Sequence, residues 1–443
     1  METIAAIATP LVKSALGIIR VSGDDCFNIV QKVFNKDITS HPSRKIYIGK
    51  ILDNNQKFID EVVLLQYVSP KSYTGENLIE LICHGSVLIL NQVLSLLIKE
   101  GARMAQNGEF SMRAVLNKKM SLNKAEAIND FINCNSFAGL DLIKNSLEDK
   151  HSKSLFEIKN ELENLVSNIE VNFDYPEYKD IEVVSIKKIK EISKSVIKKV
   201  RNLIDESTIN NKIVYGVKVA IIGKPNVGKS TLLNALIGEE RAITSNISGT
   251  TRDVVSSEKN IKGINFIFYD TAGIRKTKNK IEKKGIEFTK KTVEQADLVI
   301  YLYDKDDFKI VKEDSFLKKY LNKFIFVKNK NDLDKNKKIK SKDIVSISAK
   351  NQAINPLISK MFSKLNIGNA NYSKSFLYNT RQIGVLKNVL ENLENILKMC
   401  DSSTMDLLAV KLDETYKLIL ELLGLSFDEE LNKNIFKNFC VGK

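Results

Sequence analysis

Residues 217–232 read VKVAIIGKPNVGKSTL. Five of the first six are apolar and a glycine follows, the pattern of a short strand buried on both faces. The next eight, Gly223-Lys224-Pro225-Asn226-Val227-Gly228-Lys229-Ser230, satisfy G-x-x-x-x-G-K-[ST], with Thr231 after them. Glycines at the two ends let backbone N–H groups turn inward around phosphates. Lys229 neutralises β/γ charge, Ser230 offers a hydroxyl to Mg²⁺, and the helix that begins there aims its positive end at the same anion. The stretch therefore predicts a strand, a phosphate-binding loop and a helix, the opening unit of a parallel sheet with crossover helices.

Working outward, the runs NFIFYD (265–270), DLVIYLYD (297–304), KFIFVKN (323–329) and DIVSIS (343–348) recur at helix-length intervals and supply the remaining strands. Three of them end in residues suited to a nucleotide. Asp270-Thr271-Ala272-Gly273 places a carboxylate where it holds a Mg²⁺ shell through water and a glycine N–H where it meets a γ-phosphate. Asn329-Lys330-Asn331-Asp332 presents a carboxylate that accepts from guanine N1–H and the 2-amino group together, which adenine does not match. Ser348-Ala349-Lys350 completes the base edge. Gly249-Thr250-Thr251-Arg252-Asp253, lying between the phosphate loop and Asp270, puts Thr251 forward as a second Mg²⁺ ligand on a switch loop. In this order and spacing these elements predict a GTP-hydrolysing domain.

One group is missing. The water-orienting glutamine of small GTPases has no counterpart, because Ile274 and Arg275 follow the D-T-A-G. Asp253, Glu282 and Glu287 are the nearby acidic candidates, and an arginine in trans or a monovalent cation has to supply positive charge in the transition state.

The 443 residues are 43% hydrophobic and 28% charged, an ordinary globular mix that excludes a mostly disordered chain. Four segments separate by texture. Residues 1–118 alternate short apolar runs (GIIRV, KIYIGKI, EVVLLQYV, NLIELIC) with turn residues and predict a mixed α/β domain. Residues 119–212 turn helical, with Leu155, Ile158, Leu162, Leu165 and Ile169, then Ile186, Ile189, Ile192, Val196, Val200 and Leu203, at steps of three and four; NFDYPEY (172–178) is the expected turn between two antiparallel helices. Residues 213–370 form the parallel-sheet domain. In 371–443 the helical pattern resumes, with Leu386, Leu390, Leu393, Leu397 and Cys400 on one face, and ends in NIFKNFCVGK. A helical domain split in sequence, with the α/β domain inserted between its halves, accounts for this order. Five scattered cysteines and no leader at Met1 predict free thiols in the cytoplasm. Leu81–Ile98 is uncharged but interrupted by polar groups, so it reads as a buried strand and a core helix rather than a membrane span. The net charge of +14 favours polyanionic partners without specifying one.

The order G-K-P-N-V-G-K-S, G-T-T-R-D, D-T-A-G-I-R and a terminal Cys440-Val441-Gly442-Lys443 resembles the MnmE (TrmE) family of tRNA-modification GTPases. TPLVKSALGIIRVSG (9–23), SYTGENLIELICHGS (72–86) and GEFSMRAVLNKKMSLNKAEAINDFI (108–132) resemble that family's N-terminal and early helical signatures, so the likeness covers the whole chain. It implies an N-terminal folate-binding-like domain that also dimerises, a discontinuous helical domain and a Ras-like G domain. It further implies a K⁺-dependent homodimer that works with the flavoprotein MnmG (GidA) in a heterotetramer. Together they form carboxymethylaminomethyl- or aminomethyl-uridine at the tRNA wobble position from 5,10-methylene-tetrahydrofolate, for which 5-formyl-tetrahydrofolate is an analogue.

Residue by residue, the resemblance assigns the nucleotide to Asn226, Val227, Gly228, Lys229, Ser230 and Thr231, to Ser245, Asn246, Ile247, Ser248, Gly249, Thr250 and Thr251, and to the three later motifs. Asn226, Ser245, Ile247 and Thr250 would hold K⁺, Ser230 and Thr251 Mg²⁺, and Glu282 the hydrolytic water. Arg20, Glu80, Lys119 and Lys443 match the folate ligands, and Cys440 the family's essential thiol. The chain departs from the family pattern around that second site, at Leu11–Ala15, Asn77, Ser86, Lys118 and Ser121. The competing readings are a ribosome-assembly or RNA-binding GTPase, which calls for an RNA-binding module after the G domain, and a folate one-carbon transferase acting without GTP.

Overall fold

The computed structural model describes residues 1–39, 45–148, 153–174, 184–238, 256–270, 289–304, 315–333, 344–367, 377–425, 436 and 439–442. The chain forms two compact units, Met1–Asn129 with Leu420–Lys443, and Asp130–Ile419.

In the first unit, β1 (Ile4–Ile7), β2 (Leu16–Ser22), β3 (Ile46–Leu52), β4 (Phe58–Tyr67), β5 (Leu78–His84) and β6 (Arg103–Met104) make one sheet in the order β3-β4-β5-β2-β1-β6. Period-two alternation sets its faces. Ile19, Val21, Val62, Leu64, Ile79, Leu81 and Cys83 point to a core closed by α1 (Cys26–Gln31) and α2 (Val87–Lys99), which contributes Leu90, Val93 and Leu97. The uncharged stretch 81–98 thus divides between β5 and α2 as expected, and no described helix is long and apolar enough to cross a membrane. Burial pushes the Cys83 thiol up to about 12, with the Asp60 carboxylate adding to the shift. After the sheet come α3 (Glu109–Leu116) and α4 (Leu122–Asn133).

In the second unit, α5 (Phe137–Leu147) precedes two long helices, α6 (Lys153–Asp174) and α7 (Ile186–Tyr215). Leu155, Ile158, Leu162, Leu165 and Ile169 are all buried, as their spacing predicts. α6 continues through Asp174, into the stretch 172–178 expected to turn, and the rest of that stretch lies outside the described residues. A proline restricts only the residue immediately before it, so Pro176 leaves Asp174 free to stay helical. Asn172 Oδ1 accepts from the Val184 N–H at 2.8 Å and brings the start of α7 to the end of α6, which makes the pair antiparallel. Ile186 is 41% exposed, since it stands in the first turn of α7 before the packed face begins.

At its other end α7 passes through Gly216 directly into β7 (Val217–Ile222). Ser136 locks this junction. It caps α5 by accepting from the Gly139 N–H at 3.0 Å, and it donates to the Ile213 carbonyl at 2.9 Å.

The second sheet runs β12-β11-β10-β7-β9-β8, with β8 (Ser256–Ile261), β9 (Ile264–Asp270), β10 (Leu298–Tyr303), β11 (Phe324–Lys328) and β12 (Ile344–Ser346). All neighbours are parallel except β8 and β9. The five strands read from sequence are present. β8, SSEKNI, is an addition that alternation could not reveal, because a polar edge strand has no apolar face. Helix α8 (Lys229–Ile237) follows β7 and, after the sheet, come α9 (Asn355–Lys364) and α10 (Thr380–Met399); α11 (Met405–Leu422) leads back to the first unit. Asn379 and Gln382 start α10 with a reciprocal capping box. Its buried line runs Leu386, Val389, Leu393, Ile396 and Cys400, so Leu390 and Leu397 flank the seam instead of filling it.

Leu393 is fully buried on α10. Its replacement by alanine should cost about 3 kcal/mol, as for other buried leucines that leave an unfilled cavity. Urea denaturation of wild type and Leu393→Ala, with equal m-values, checks this.

Candidate functional site

In the second unit the phosphate loop rises from the C-terminal end of β7. Gly223 has φ +153°, and a Cβ there would lie 2.2 Å from the Leu302 carbonyl; Gly228 has φ +95°, and its Cβ would lie 2.4 Å from Asn329 Nδ2. No other residue fits either place. Asn226 also takes a left-handed φ of +64° and is exposed, so its side chain is presented outward. Lys229 Nζ donates back to the Gly223 and Lys224 carbonyls at 2.9 and 2.7 Å, which curls its ammonium over the loop where phosphates would sit. Val227 is buried, while Ser230 and Thr231 are exposed at the start of α8. The loop therefore fits a polyphosphate with a hydrated cation at Ser230.

The base-edge residues converge beside it. Asn329 is buried and does not face a ligand. Its Nδ2 donates to the Val227 carbonyl at 2.9 Å, and its Oδ1 accepts from the Ala349 N–H at 3.1 Å, so this side chain stitches the phosphate loop to the base loop. Lys330 Nζ donates to the Asn226 carbonyl at 3.1 Å and pairs with Asp304 at 2.9 Å. Asp304, at the end of β10, is a contact that the sequence motifs did not flag. Asp332 is exposed and accepts from Ser348 Oγ at 2.7 Å. That hydrogen bond, with help from its own backbone N–H, holds the carboxyl below its ordinary range, so it stays ionised as a double acceptor. Ser348 and Ala349 are buried, and Lys350 is exposed. Asp270 ends β9. Ser245, Asn246, Ile247, Ser248, Gly249, Thr250, Thr251, Thr271, Ala272, Gly273 and Glu282 lie outside the described residues.

The first unit carries a second constellation. Arg20 on β2 and Glu80 on β5 are directly opposite in register. Arg20 Nε and Nη2 donate to Glu80 Oε1 at 3.0 and 2.7 Å, and Nη1 donates to the Gly442 carbonyl at 3.0 Å. The guanidinium lies 5.0 Å from the Tyr73 ring centroid and 5.6 Å from that of Phe110. Lys119 is exposed, and its stem runs beside Gly75, two residues from Tyr73. The 73–76 loop thus ties three of the four sequence-derived residues together; Lys443 lies outside the described residues. Cys440 is exposed.

Beneath this loop runs a buried network that no motif or periodicity announces. Ser22 Oγ bonds Thr74 and Glu76 at 2.7 Å each, Arg113 bridges Glu76 and Glu109, and Arg103 reaches Glu109 from outside. Burial pushes the Glu109 carboxyl up, but donors from Arg103, Gln106 and Arg113 outweigh it and hold the group below its ordinary range.

The sequence matches two family models, one described as the GTP-binding protein TrmE N-terminus over residues 3–119 and the other as the MnmE helical domain over residues 122–440. It is 40% identical to a tRNA modification GTPase MnmE of Malacoplasma penetrans (strain HF-2), with all of both chains covered. It is 38% identical to that of Mesoplasma florum, over 100% of this chain and 99% of the other. To that of Mycoplasma genitalium it is 41% identical, over 99% of each.

Asp332→Asn replaces a double acceptor by an amide that also donates. GTP affinity should fall at least about tenfold, one step of roughly 1.4 kcal/mol. Xanthosine triphosphate, which carries an oxygen where guanine carries the 2-amino group, should gain affinity. Competition against a fluorescent guanine nucleotide measures both.

Proposed function

This chain belongs to the MnmE family of tRNA modification GTPases, and from that premise we propose that it hydrolyses GTP in a K⁺-dependent cycle coupled to one-carbon chemistry on the wobble uridine of tRNA. The observation that carries the reading is the presence, in one chain, of a phosphate loop with the Asp332–Ser348 pair in the same unit and of a separate Arg20–Glu80 pair that the C-terminal tail reaches.

Bound Mg²⁺, held through Ser230 and Thr251, would screen charge on the β- and γ-phosphates. K⁺, held by Asn226 with Ser245, Ile247 and Thr250, would supply the positive charge that an arginine finger gives other GTPases. The outward-facing, left-handed Asn226 supports that role. Glu282 would orient the attacking water, because Ile274 has no group with which to do so. Lys229 would transfer its bonds from the loop carbonyls to phosphate oxygens when nucleotide enters.

At the other site the chemistry suits a reduced folate. A pterin's amide and amino edge asks for a carboxylate, which Glu80 offers, and a glutamate tail asks for a cation, which Lys119 and Lys443 offer. Arg20 fixes the Glu80 carboxylate. The Cys440 thiol stands exposed on the tail. A second copy of the chain is the proposed cover for the open face of the first sheet, where Leu16, Ile46 and Ile48 are 59%, 70% and 61% exposed. A flavoprotein of the MnmG type and tRNA are the proposed partners, in the cytoplasm.

Hydrolysis should be at least about tenfold faster in K⁺ than in Na⁺ buffer, a barrier difference of roughly 1.4 kcal/mol. Equal rates would remove K⁺ and Asn226 from the mechanism.

The modification role is tested in cells lacking this protein, by mass spectrometry of tRNA nucleosides. Aminomethyl-type uridines should disappear and return with the intact gene, but not with one lacking Cys440–Lys443. An unchanged profile would leave the GTPase and turn attention to ribosome assembly.

A further inference from the structure

We infer that Arg20 is the positioning residue that seats the C-terminal tail, and through it fixes where the Cys440 thiol stands. The inference rests on the one-carbon reading only for why the thiol's place matters; the seating itself stands on contacts within the first unit.

The tail is held in three successive places. Phe436 and Phe439 are 2% and 5% exposed, with ring centroids 4.9 Å apart, and pack against Val115 and Ala125. Next, the Gly108 N–H donates to the Cys440 carbonyl at 3.2 Å, and Asn107 and Val441 form an antiparallel bridge, so the backbone from the thiol-bearing residue onward is paired. Finally, Gly442 takes φ +95°, where a Cβ would lie 2.6 Å from the Ile7 carbonyl, and its own carbonyl accepts from Arg20 Nη1 at 3.0 Å. A tail that merely lay along the surface would need neither a glycine at that φ nor a guanidinium on its last described carbonyl.

Arg20 suits this task by its shape. Its planar fork places Nε and Nη2 on one Glu80 oxygen and leaves Nη1 directed at Gly442, while the Tyr73 and Phe110 rings lie within 6 Å of it. Three of its five N–H donors are engaged, two on Glu80 and one on the Gly442 carbonyl. Arg20 therefore couples two things, the carboxylate offered by Glu80 and the position of the chain end, and the side chains of Cys440 and Val441 are left exposed between fixed points.

The test uses the full-length protein and reads the tail directly. Hydrogen–deuterium exchange of the Gly108 amide reports its bond to the Cys440 carbonyl. The anisotropy of a maleimide dye on Cys440 reports the freedom of the chain end; Cys26, Cys83 and Cys400 are buried and Cys134 partly so. Arg20→Gln should speed Gly108 exchange at least about tenfold and lower the anisotropy, with amides of 16–22 and 78–84 protected as in wild type. Gly442→Ala should do the same while keeping the Arg20–Glu80 pair. Wild-type Gly108 exchange and anisotropy in Arg20→Gln overturn the inference. If Arg20→Gln loses protection in 16–22, Arg20→Lys takes its place. That variant keeps the charge but has a single donor nitrogen in place of the planar fork, and wild-type behaviour in it overturns the inference equally. Binding of 5-formyl-tetrahydrofolate, measured in parallel, keeps the two readings apart: a wild-type protein that fails to bind it overturns the one-carbon reading and leaves the tail result standing.

Discussion

Parallel strands all end on the same edge of a sheet, and the nucleotide site depends on that constraint. β7, β10, β11 and β12 run the same way, so the phosphate loop after Ile222, Asp304 after Tyr303, Asn329 after Lys328 and the Ser348 turn after Ser346 emerge side by side although they span more than a hundred residues of chain. The edge brings the loops together, and Asn329 then fixes their spacing. One amide group satisfies the Val227 carbonyl and the Ala349 N–H, so a shift of either loop would strand a buried polar group at a cost of about 1–3 kcal/mol. Asp332 and Ser348, the residues left facing outward or toward each other, inherit that geometry without building it.

The first unit solves a similar problem in an antiparallel frame. Register places Arg20 against Glu80, and the 73–76 loop lays Tyr73 beside the guanidinium while sending Glu76 inward to Ser22 and Arg113. A buried ion network of this kind contributes little net stability, but it penalises any arrangement that leaves one member unpaired. It therefore specifies the loop's path more than it strengthens the fold. Glu109 carries the pH dependence of the arrangement. Its carboxyl is depressed in the folded protein, so its contribution is present above the ordinary glutamate value of about 4.3 and is lost as pH falls through the lower, folded value.

What was legible in the sequence divides along physical lines. Elements carried by local periodicity were readable: the five buried strands of the second sheet, the helices around Leu162 and Val200, and the division of 81–98 into strand and helix. Motifs whose chemistry is written in consecutive residues were readable too, which is why Lys229 and Asp332 could be given roles from their neighbours alone. Arg20 was not of this kind. Taken by itself it is one arginine in an apolar strand; it acquires a role from Glu80, sixty positions away, and from Gly442, more than four hundred positions away. Only the resemblance to a family singled it out, and the resemblance did not say that its bonds go to the tail. Asn329 shows the opposite case, a motif residue whose side chain is spent on holding two loops together.

Closing the first unit from both ends of the chain has a cost that explains the tail's construction. Residues 420–443 return to residues 1–129 only after the whole of the second unit has been traversed. Loop-closure entropy grows with the logarithm of length, so doubling the insert adds only about 0.6 kcal/mol. The insertion is therefore tolerable, but the returning segment is short and must bind its seat with a few strong contacts. Asn123 Nδ2 takes the Leu422 carbonyl at 2.7 Å where the chain comes back, and Phe436 and Phe439 follow. Each buried phenylalanine contributes about 1.5–3 kcal/mol toward offsetting the closure. What those anchors cannot do is orient the last residues, because an apolar contact has no direction. Orientation needs directional bonds, and the final described residues have them: the backbone pairing at Gly108 and Asn107, and the guanidinium of Arg20 on the carbonyl of Gly442.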